Sequence, residues 1–296
     1  MPSLKEIKGR IASVRSTQKI TSAMKMVASA KLRKAQYQID RFLPYQLKLN
    51  EMLNSFLISQ PEFDSNLAEK REVQRVAIVV IASNSSLCGA FNSNIQKLLK
   101  DKLNEYENVV CGDVEIYAVG KKIEEYARKL PLSYPIKGNY ISLMEHPNFE
   151  GAKVIADTLI NDFLHKKIDK VEIIYNHYKS TAAQVPTIEQ YLPLDLTLPV
   201  RENLPEENHL NADYIIEPDK PTVLNQLLPR SLRSKIYAVL LDSAAAEQAA
   251  RTVAMQIATD NANDLLGELT IQYNKQRQQA ITNELLDIVG GSEALK

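Results

Sequence analysis

The sequence predicts a mixed α+β fold, in which long N- and C-terminal helices pair as an antiparallel coiled coil with an α/β domain inserted between them. Both ends of the 296-residue chain are almost free of proline, and small or apolar residues recur there at three- and four-residue steps. In the middle, short β-branched runs alternate with amphipathic stretches. We therefore expect a helix over 1–58, an α/β domain over 73–208, and a loop followed by a helix over 209–296.

The first helix is predicted to begin at a capping box, because Ser3 is followed three residues later by Glu6. Pro44 is the only proline between Ser3 and residue 58. Apolar residues at coiled-coil spacing are followed by small ones, which let a second helix approach closely. The expected contact face consists of Leu4, Ile7, Ile11, Val14, Ala23, Ala28, Ala30 and Ala35.

The second long helix is predicted over 231–289, a stretch with no proline and a single glycine, Gly267. Pro229 is expected to start or kink it. Two such helices on either side of a compact insertion pair most simply in antiparallel fashion, and the longer one then extends past its partner. Its expected contact face consists of Ala246, Ala250, Val253 and Ile257, and then of Ile281, Leu285 and Ile288.

The inserted segment alternates strands and helices, which predicts an open, largely parallel, Rossmann-like sheet. Gln184–Leu192 is expected to add an edge strand, since Pro186 cannot donate a ladder hydrogen bond. The stretch 193–221 reads as loop. The other predicted strands are 75–82, 113–119 and 171–175, and the predicted helices are 92–106, 121–130 and 150–164.

Composition excludes several protein classes. With 45% hydrophobic and 24% charged residues the chain is expected to be globular, and it has no apolar run of about 18 residues that would insert in a membrane. The N-terminus lacks the apolar core of a secretory signal, so an intracellular protein is expected. The zero net charge conceals a basic first helix, whose face is either simply solvated or suited to an acidic partner. Residues 1–34 contain only one acid, Glu6, beside Lys5, Lys8, Arg10, Arg15, Lys19, Lys25, Lys31, Arg33 and Lys34.

No catalytic, cofactor or metal site is predicted. The turn at 83–94 follows a strand and precedes a helix, but its single glycine, Gly89, matches neither GxGxxG nor a Walker loop. A nucleotide-binding enzyme is therefore disfavoured. A nucleic-acid binder is disfavoured too, because the C-terminal helix is not basic and aromatic residues are not interleaved. The four histidines lack metal-ligand spacing, and Cys88 and Cys111 are expected to be ordinary thiols.

Several segments resemble the gamma subunit of F-type ATP synthases, and the resemblance covers nearly the whole chain. The longest are LKEIKGRIASVRSTQKITSAMKMVASAKLRKAQ from Leu4 and YNKQRQQAITNEL from Tyr273. Shorter ones are LCGAFN (87–92), QVPTIEQYLPL (184–194), DYIIEPD (213–219), EQAARTVAM (247–255) and ATDNA (258–262).

The resemblance implies a non-catalytic central-stalk subunit that binds no cofactor. Its paired helices would rotate inside a hexamer of alpha and beta subunits, and its foot would rest on a membrane c-ring driven by protons or sodium ions. The α/β domain would lie beside the foot and hold the epsilon subunit. The chain would be peripheral on the cytoplasmic face of a bacterial plasma membrane, bind no nucleic acid and insert no segment in the membrane.

The resemblance also assigns residues. Family positions that engage the beta subunits match Met24, Arg251, Arg277, Gln278, Thr282 and Glu284. The apolar bearing matches Ile281, Leu285, Ile288 and Val289, and the c-ring contact matches Tyr214 and Glu217. For Met24, packing in the contact face remains an alternative. Gln278 and Thr282 are expected to bond a partner and not their own chain.

The chain departs from the family pattern at two places. Asn84, Ser85 and Ser86 stand before LCG, where the family usually has Asp, Arg and Gly, which puts any contact made by those charges in doubt. Pro229 is the second departure. The chain also lacks the cysteine-pair insertion of chloroplast homologues, so redox gating is not expected.

Overall fold

The computed structural model describes residues 3–59, 65–109, 113–130, 134–195, 216–217 and 219–293. They form two compact units, one made of residues 1–28 and 251–296 and the other of residues 29–250. The helices are α1 (Leu4–Ser59), α2 (Phe91–Val109), α3 (Lys121–Ala127), α4 (Ile141–Glu145), α5 (Phe149–Leu164) and α6 (Lys220–Glu293). The strands are β1 (Val76–Ile81), β2 (Val114–Val119), β3 (Lys170–Tyr178) and β4 (Gln184–Leu192).

The larger unit contains a four-stranded sheet in the order β2-β1-β3-β4. Strand β1 runs parallel to β2 and β3, and β4 runs antiparallel to β3 at the edge. All six residues of β1 are buried, which explains their unbroken apolar run, because a parallel sheet is covered on both faces. Pro186 lies on β4 opposite Asn176. The predicted edge strand is therefore confirmed.

Each face of this sheet has its own core. Val79 and Ile81 point to a core that includes residues of α5 and the first part of α6, whereas Ile78 and Val80 point to a core built with α2 and α3. Successive side chains of a strand point to opposite faces, so both layers bury the same strand. The inserted domain therefore has three layers, with the sheet between two layers of helices, as the alternating elements predict.

The smaller unit is an antiparallel helix pair. The buried residues Ile7, Thr21 and Ala28 of α1 are separated by multiples of seven, as are Met255, Ala262 and Leu269 of α6. Two contacts join the helices: Thr259 Oγ1 lies 2.9 Å from Thr21 Oγ1, and Gln18 Nε2 donates to Asn263 Oδ1 at 3.2 Å. Residue numbers rise along one helix as they fall along the other. The predicted antiparallel pairing is confirmed.

The predicted contact faces are only partly right. On α1, the predicted residues Ile7, Ala28 and Ala35 are buried, but Ala23 and Ala30 are exposed and Thr21, which was not predicted, is buried. On α6, Ile257 is 55% exposed, so the face does not continue from Ala250 as expected. Apolar residues lie on more than one side of α6, and their spacing alone did not identify the side that packs.

Helix α6 begins at Lys220 and not near Ser231, and it contains Pro229 in its interior. Asp219 caps it, because its carboxylate accepts from the Thr222 backbone N–H (2.9 Å) and hydroxyl (3.0 Å). Burial of Leu228 and Leu232 on either side of Pro229 compensates for the hydrogen bond that proline cannot make.

The predictions about loops and domain boundaries are only partly covered by the described residues. The stretch between the predicted helices 121–130 and 150–164, for which no element was predicted, contains the short helix α4. Tyr214, Cys111 and most of the predicted loop at 193–221 lie outside the described residues. So does the proposed boundary between residues 208 and 209, and the division into three segments therefore remains a prediction.

Candidate functional site

The end of α6 extends beyond α1 and exposes apolar side chains. Gln18 lies opposite Asn263, and both helices rise equally per residue, so Leu4 falls opposite about residue 277. We call residues 277–289 the α6 extension. Its large apolar residues are 47–68% exposed, namely Ile281, Leu285, Leu286, Ile288 and Val289. A contiguous apolar surface of this kind marks a protein interaction site.

The polar residues predicted to engage a partner lie on the same extension. Arg277, Gln278, Thr282 and Glu284 are all exposed. The Thr282 hydroxyl, however, donates to the Gln278 carbonyl at 2.9 Å. The expectation that Thr282 bonds no group of its own chain is therefore wrong. In a helix, a threonine hydroxyl readily donates a hydrogen bond to a backbone carbonyl of the preceding turn. Its oxygen lone pairs remain acceptors for a partner.

The two predicted contact residues nearer the middle of the helices are less exposed. Arg251 is 8% exposed, so most of its surface is already covered within the chain. Met24 is half-buried, which favours a share in helix packing for this residue. Their assignment to a partner remains a prediction.

The helix pair carries opposite charges on its two helices. The acids Asp260, Asp264 and Glu268 follow each other at four-residue steps on α6 and are exposed. The bases Lys5, Lys8, Arg10, Arg15 and Lys19 are exposed on α1. A helix pair with this distribution presents positive charge on one side and negative charge on another.

The turn after β1 is filled by its own polar groups. Ser83 is fully buried, and its backbone N–H donates to Asn92 Oδ1 at 3.1 Å. Asn84 accepts from the Lys121 N–H through Oδ1 (2.9 Å) and donates to the Ile141 carbonyl through Nδ2 (2.9 Å). These polar groups of Ser83 and Asn84 are therefore already used within the chain.

The crevice beside this turn is also filled. It lies between the carboxyl ends of β1 and β3. The chain goes from β1 to β2 on one side and returns to β3 on the other, and open parallel sheets usually bind their ligands at such a switch in strand order. Here Cys88 and Phe91 pack against Ala246 and Ala250 of α6, with Tyr178 beside them. Within the described ranges, no group of three or more potential metal ligands occurs. This contact was not predicted from the sequence, although the alanine-rich stretch at 244–250 is a signal for close helix packing.

Ion pairs join the α/β domain to α6. The Lys235 Nζ lies 3.1 Å from Glu189 Oε2, and Tyr175 donates to Glu189 Oε1 at 2.6 Å. Burial raises the pKa of Glu189, but Lys235 and the Tyr175 hydrogen bond outweigh it and hold the pKa below its usual range. Arg233 of α6 also pairs with Asp157 of α5 at 2.6 Å. The Lys235–Glu189 pair thus attaches the edge strand β4 to α6, and the Arg233–Asp157 pair attaches α5 to it.

Of the two predicted c-ring residues, Glu217 is exposed and Tyr214 lies outside the described residues. Among the described helices, none is both long enough and apolar enough to cross a membrane. The structure therefore leaves the c-ring contact as a prediction.

The family described as ATP synthase matches residues 3–295. An ATP synthase gamma chain from Azobacteroides pseudotrichonymphae is 58% identical over the whole of both chains. One from Phocaeicola vulgatus is 55% identical over 99% of this chain and 100% of the relative. This chain belongs to the ATP synthase gamma-chain family. The resemblance seen in the sequence is thereby confirmed, and with it the role of a central-stalk subunit of an F-type ATP synthase that is not the catalytic one.

Solved structures share the family fold. A chain in the central stalk and c-ring structure of Tetrahymena thermophila mitochondrial ATP synthase matches with a TM-score of 0.56 at 25% identity, covering 81% of this chain and 99% of that one. A chain in the rotor structure of the Euglena gracilis enzyme matches with a TM-score of 0.61 at 19% identity, covering 94% and 98%. The predicted fold of long helices with an inserted α/β domain is confirmed.

Proposed function

We propose that this chain turns as a shaft inside a hexamer of alpha and beta subunits and so couples ion flow through a membrane c-ring to ATP synthesis or hydrolysis. The observation that carries the proposal is the α6 extension, a helix end that exposes large apolar side chains beyond the start of α1. An apolar sleeve around this end would hold it without directional bonds, and rotation would then meet little resistance.

The unequal charges of the helix pair support the coupling step. A ligand or rotor shifts the equilibrium between two states of its partner only if it binds one state more tightly than the other. A basic α1 and an acidic row on α6 give each beta subunit a different neighbour as the shaft turns. The proposed contacts are Met24, Arg251, Arg277, Gln278, Thr282 and Glu284.

The foot is proposed to lie near Glu217 and Tyr214 and to rest on the c-ring, with the epsilon subunit held by the α/β domain. The Tetrahymena structure described above contains both central stalk and c-ring, which supports this placement. The relatives are bacterial, which supports a location on the cytoplasmic face of a bacterial plasma membrane. The chain itself is proposed to bind no nucleotide.

A charge placed on the α6 extension tests the bearing. We expect Leu285→Asp to weaken assembly with alpha and beta subunits more than about tenfold, because burying an unpaired carboxylate costs more than about 1.4 kcal/mol. Val154→Asp on α5 is the matched control, since Leu285 and Val154 are both 57% exposed. Assembly would be measured by gel filtration and by ATP hydrolysis of the recovered complex. Equal assembly of the two variants would contradict the bearing.

A further inference from the structure

One residue of the sheet touches both long helices. Tyr178 is the last residue of β3, at the carboxyl-end crevice where related open sheets bind their ligands. Its ring packs against two separate clusters. One consists of Leu32, Ala35, Ala245 and Ala249, and the other of Cys88, Phe91, Ala246 and Ala250.

Directional bonds hold Tyr178 in place. Its backbone N–H donates to Asp242 Oδ1 of α6 at 2.9 Å, and its phenol oxygen accepts from Gln36 Nε2 of α1 at 3.0 Å. Asp242 also lies 2.6 Å from Nδ1 of His177, through its other oxygen. The phenol oxygen also lies 3.4 Å from the Thr181 hydroxyl. Gln36, Tyr178 and Asp242 form what we call the sheet–helix contact.

Most of the side chains that surround these bonds are small and apolar. Alanine side chains let α6 lie close to the sheet, but dispersion contacts between small apolar groups resist separation more than sliding. Hydrogen bonds depend on distance and angle, so they resist displacement in a given direction. The sheet–helix contact therefore supplies the resistance to sliding that the alanine surface lacks.

We propose that Tyr178 is a positioning residue that fastens the sheet to both long helices and carries load between them when the shaft turns. The proposal rests on the shaft function proposed above. The crevice that holds a ligand in related sheets would here have a mechanical role. When the phenol–Gln36 bond is lost, the helices slip against the sheet under load, and part of each turn is not transmitted.

The test uses the complete ATP synthase, assembled with the variant chain in sealed vesicles. The readout is the amount of ion transported per ATP hydrolysed, followed with pH- and sodium-sensitive dyes. Tyr178→Phe keeps the ring and removes the phenol oxygen. Loss of one such hydrogen bond shifts the opening equilibrium at least about twofold toward the open state. We expect the transported amount per ATP to fall as a result, by about twofold once the open contact is as populated as the closed one under load.

Three further variants complete the test. Gln36→Leu removes the other partner and carries the test if Tyr178→Phe fails to assemble. The double variant is expected to be no worse than either single one, because both remove the same bond. Thr181→Val removes only the hydroxyl that lies 3.4 Å from the phenol, so it is the matched control and is expected to leave the ratio unchanged.

The outcomes are distinct. A normal transport ratio in Tyr178→Phe or Gln36→Leu complexes overturns the proposal, even if their melting temperature falls, because that result assigns the bond a purely structural role. An equal loss in Thr181→Val overturns it as well. Failure of the shaft function would look different, since the unaltered chain itself would then not assemble or would not couple transport to hydrolysis.

Discussion

At the turn after β1, a single amide joins three segments of the chain. Asn84 accepts a hydrogen bond from the Lys121 N–H and donates one to the Ile141 carbonyl. A carboxylate only accepts. Asn84 therefore makes a bond to the start of α4 that an ionised aspartate could not make. The amide, which the resemblance marks as unusual at this position, has a local structural consequence.

We expect Asn84→Asp to destabilise the chain by about 1–3 kcal/mol, because the Ile141 carbonyl would lose its donor and face a carboxylate. Urea unfolding would measure the change. Asn161→Asp is the control, since it adds the same charge at an exposed position of α5. Equal stability of the two variants would show that the amide donor contributes nothing.

The depressed pKa of Glu189 predicts a pH dependence. A carboxyl group whose pKa is lower in the folded state than its ordinary value of 4.5 stabilises the fold above that pH. This stabilisation is lost as the pH falls through the folded-state pKa. We expect Glu189→Gln to be less stable than the unaltered chain at pH 7, and the difference to shrink as the pH falls below about 4.5. A difference in urea midpoint that stays constant down to pH 3 would refute this.

At the scale of elements, the strands were easier to predict than the helix faces. The run in β1 is apolar without interruption because both sides are covered, so it has one interpretation. On α6, apolar residues such as Ile257 and Ile271 also lie on the exposed side, and only packing with α1 reveals the buried series. The start of α6 was missed because burial around Pro229 overrides the preference of proline.

The Thr21–Thr259 layer makes the pairing testable. Its hydroxyls lie 2.9 Å apart between the two helices. We expect Thr21→Val and Thr259→Val each to cost about 1 kcal/mol, and the double variant to cost less than their sum, because it leaves neither hydroxyl without the other. Urea-induced loss of helical circular dichroism would measure all three. Strict additivity would mean that the two residues do not interact.

On the scale of the whole molecule, two surfaces account for the proposed function, and the sequence revealed one of them. The α6 extension was predicted because its residues match family segments and the second helix outlasts the first. The sheet–helix contact was not, since Gln36, Tyr178 and Asp242 are far apart in the chain and only the folded sheet brings them together. Spacing along a sequence carries no signal for such long-range contacts.

The central claim is that this chain rotates as a shaft, and direct observation of rotation tests it best. A complex with alpha and beta subunits would be fixed to a surface, with a bead bound to an Asn161→Cys variant on exposed α5. On addition of ATP we predict continuous one-way rotation of the bead, which stops when ATP is removed. ATP hydrolysis at an undiminished rate with a stationary bead would contradict the account.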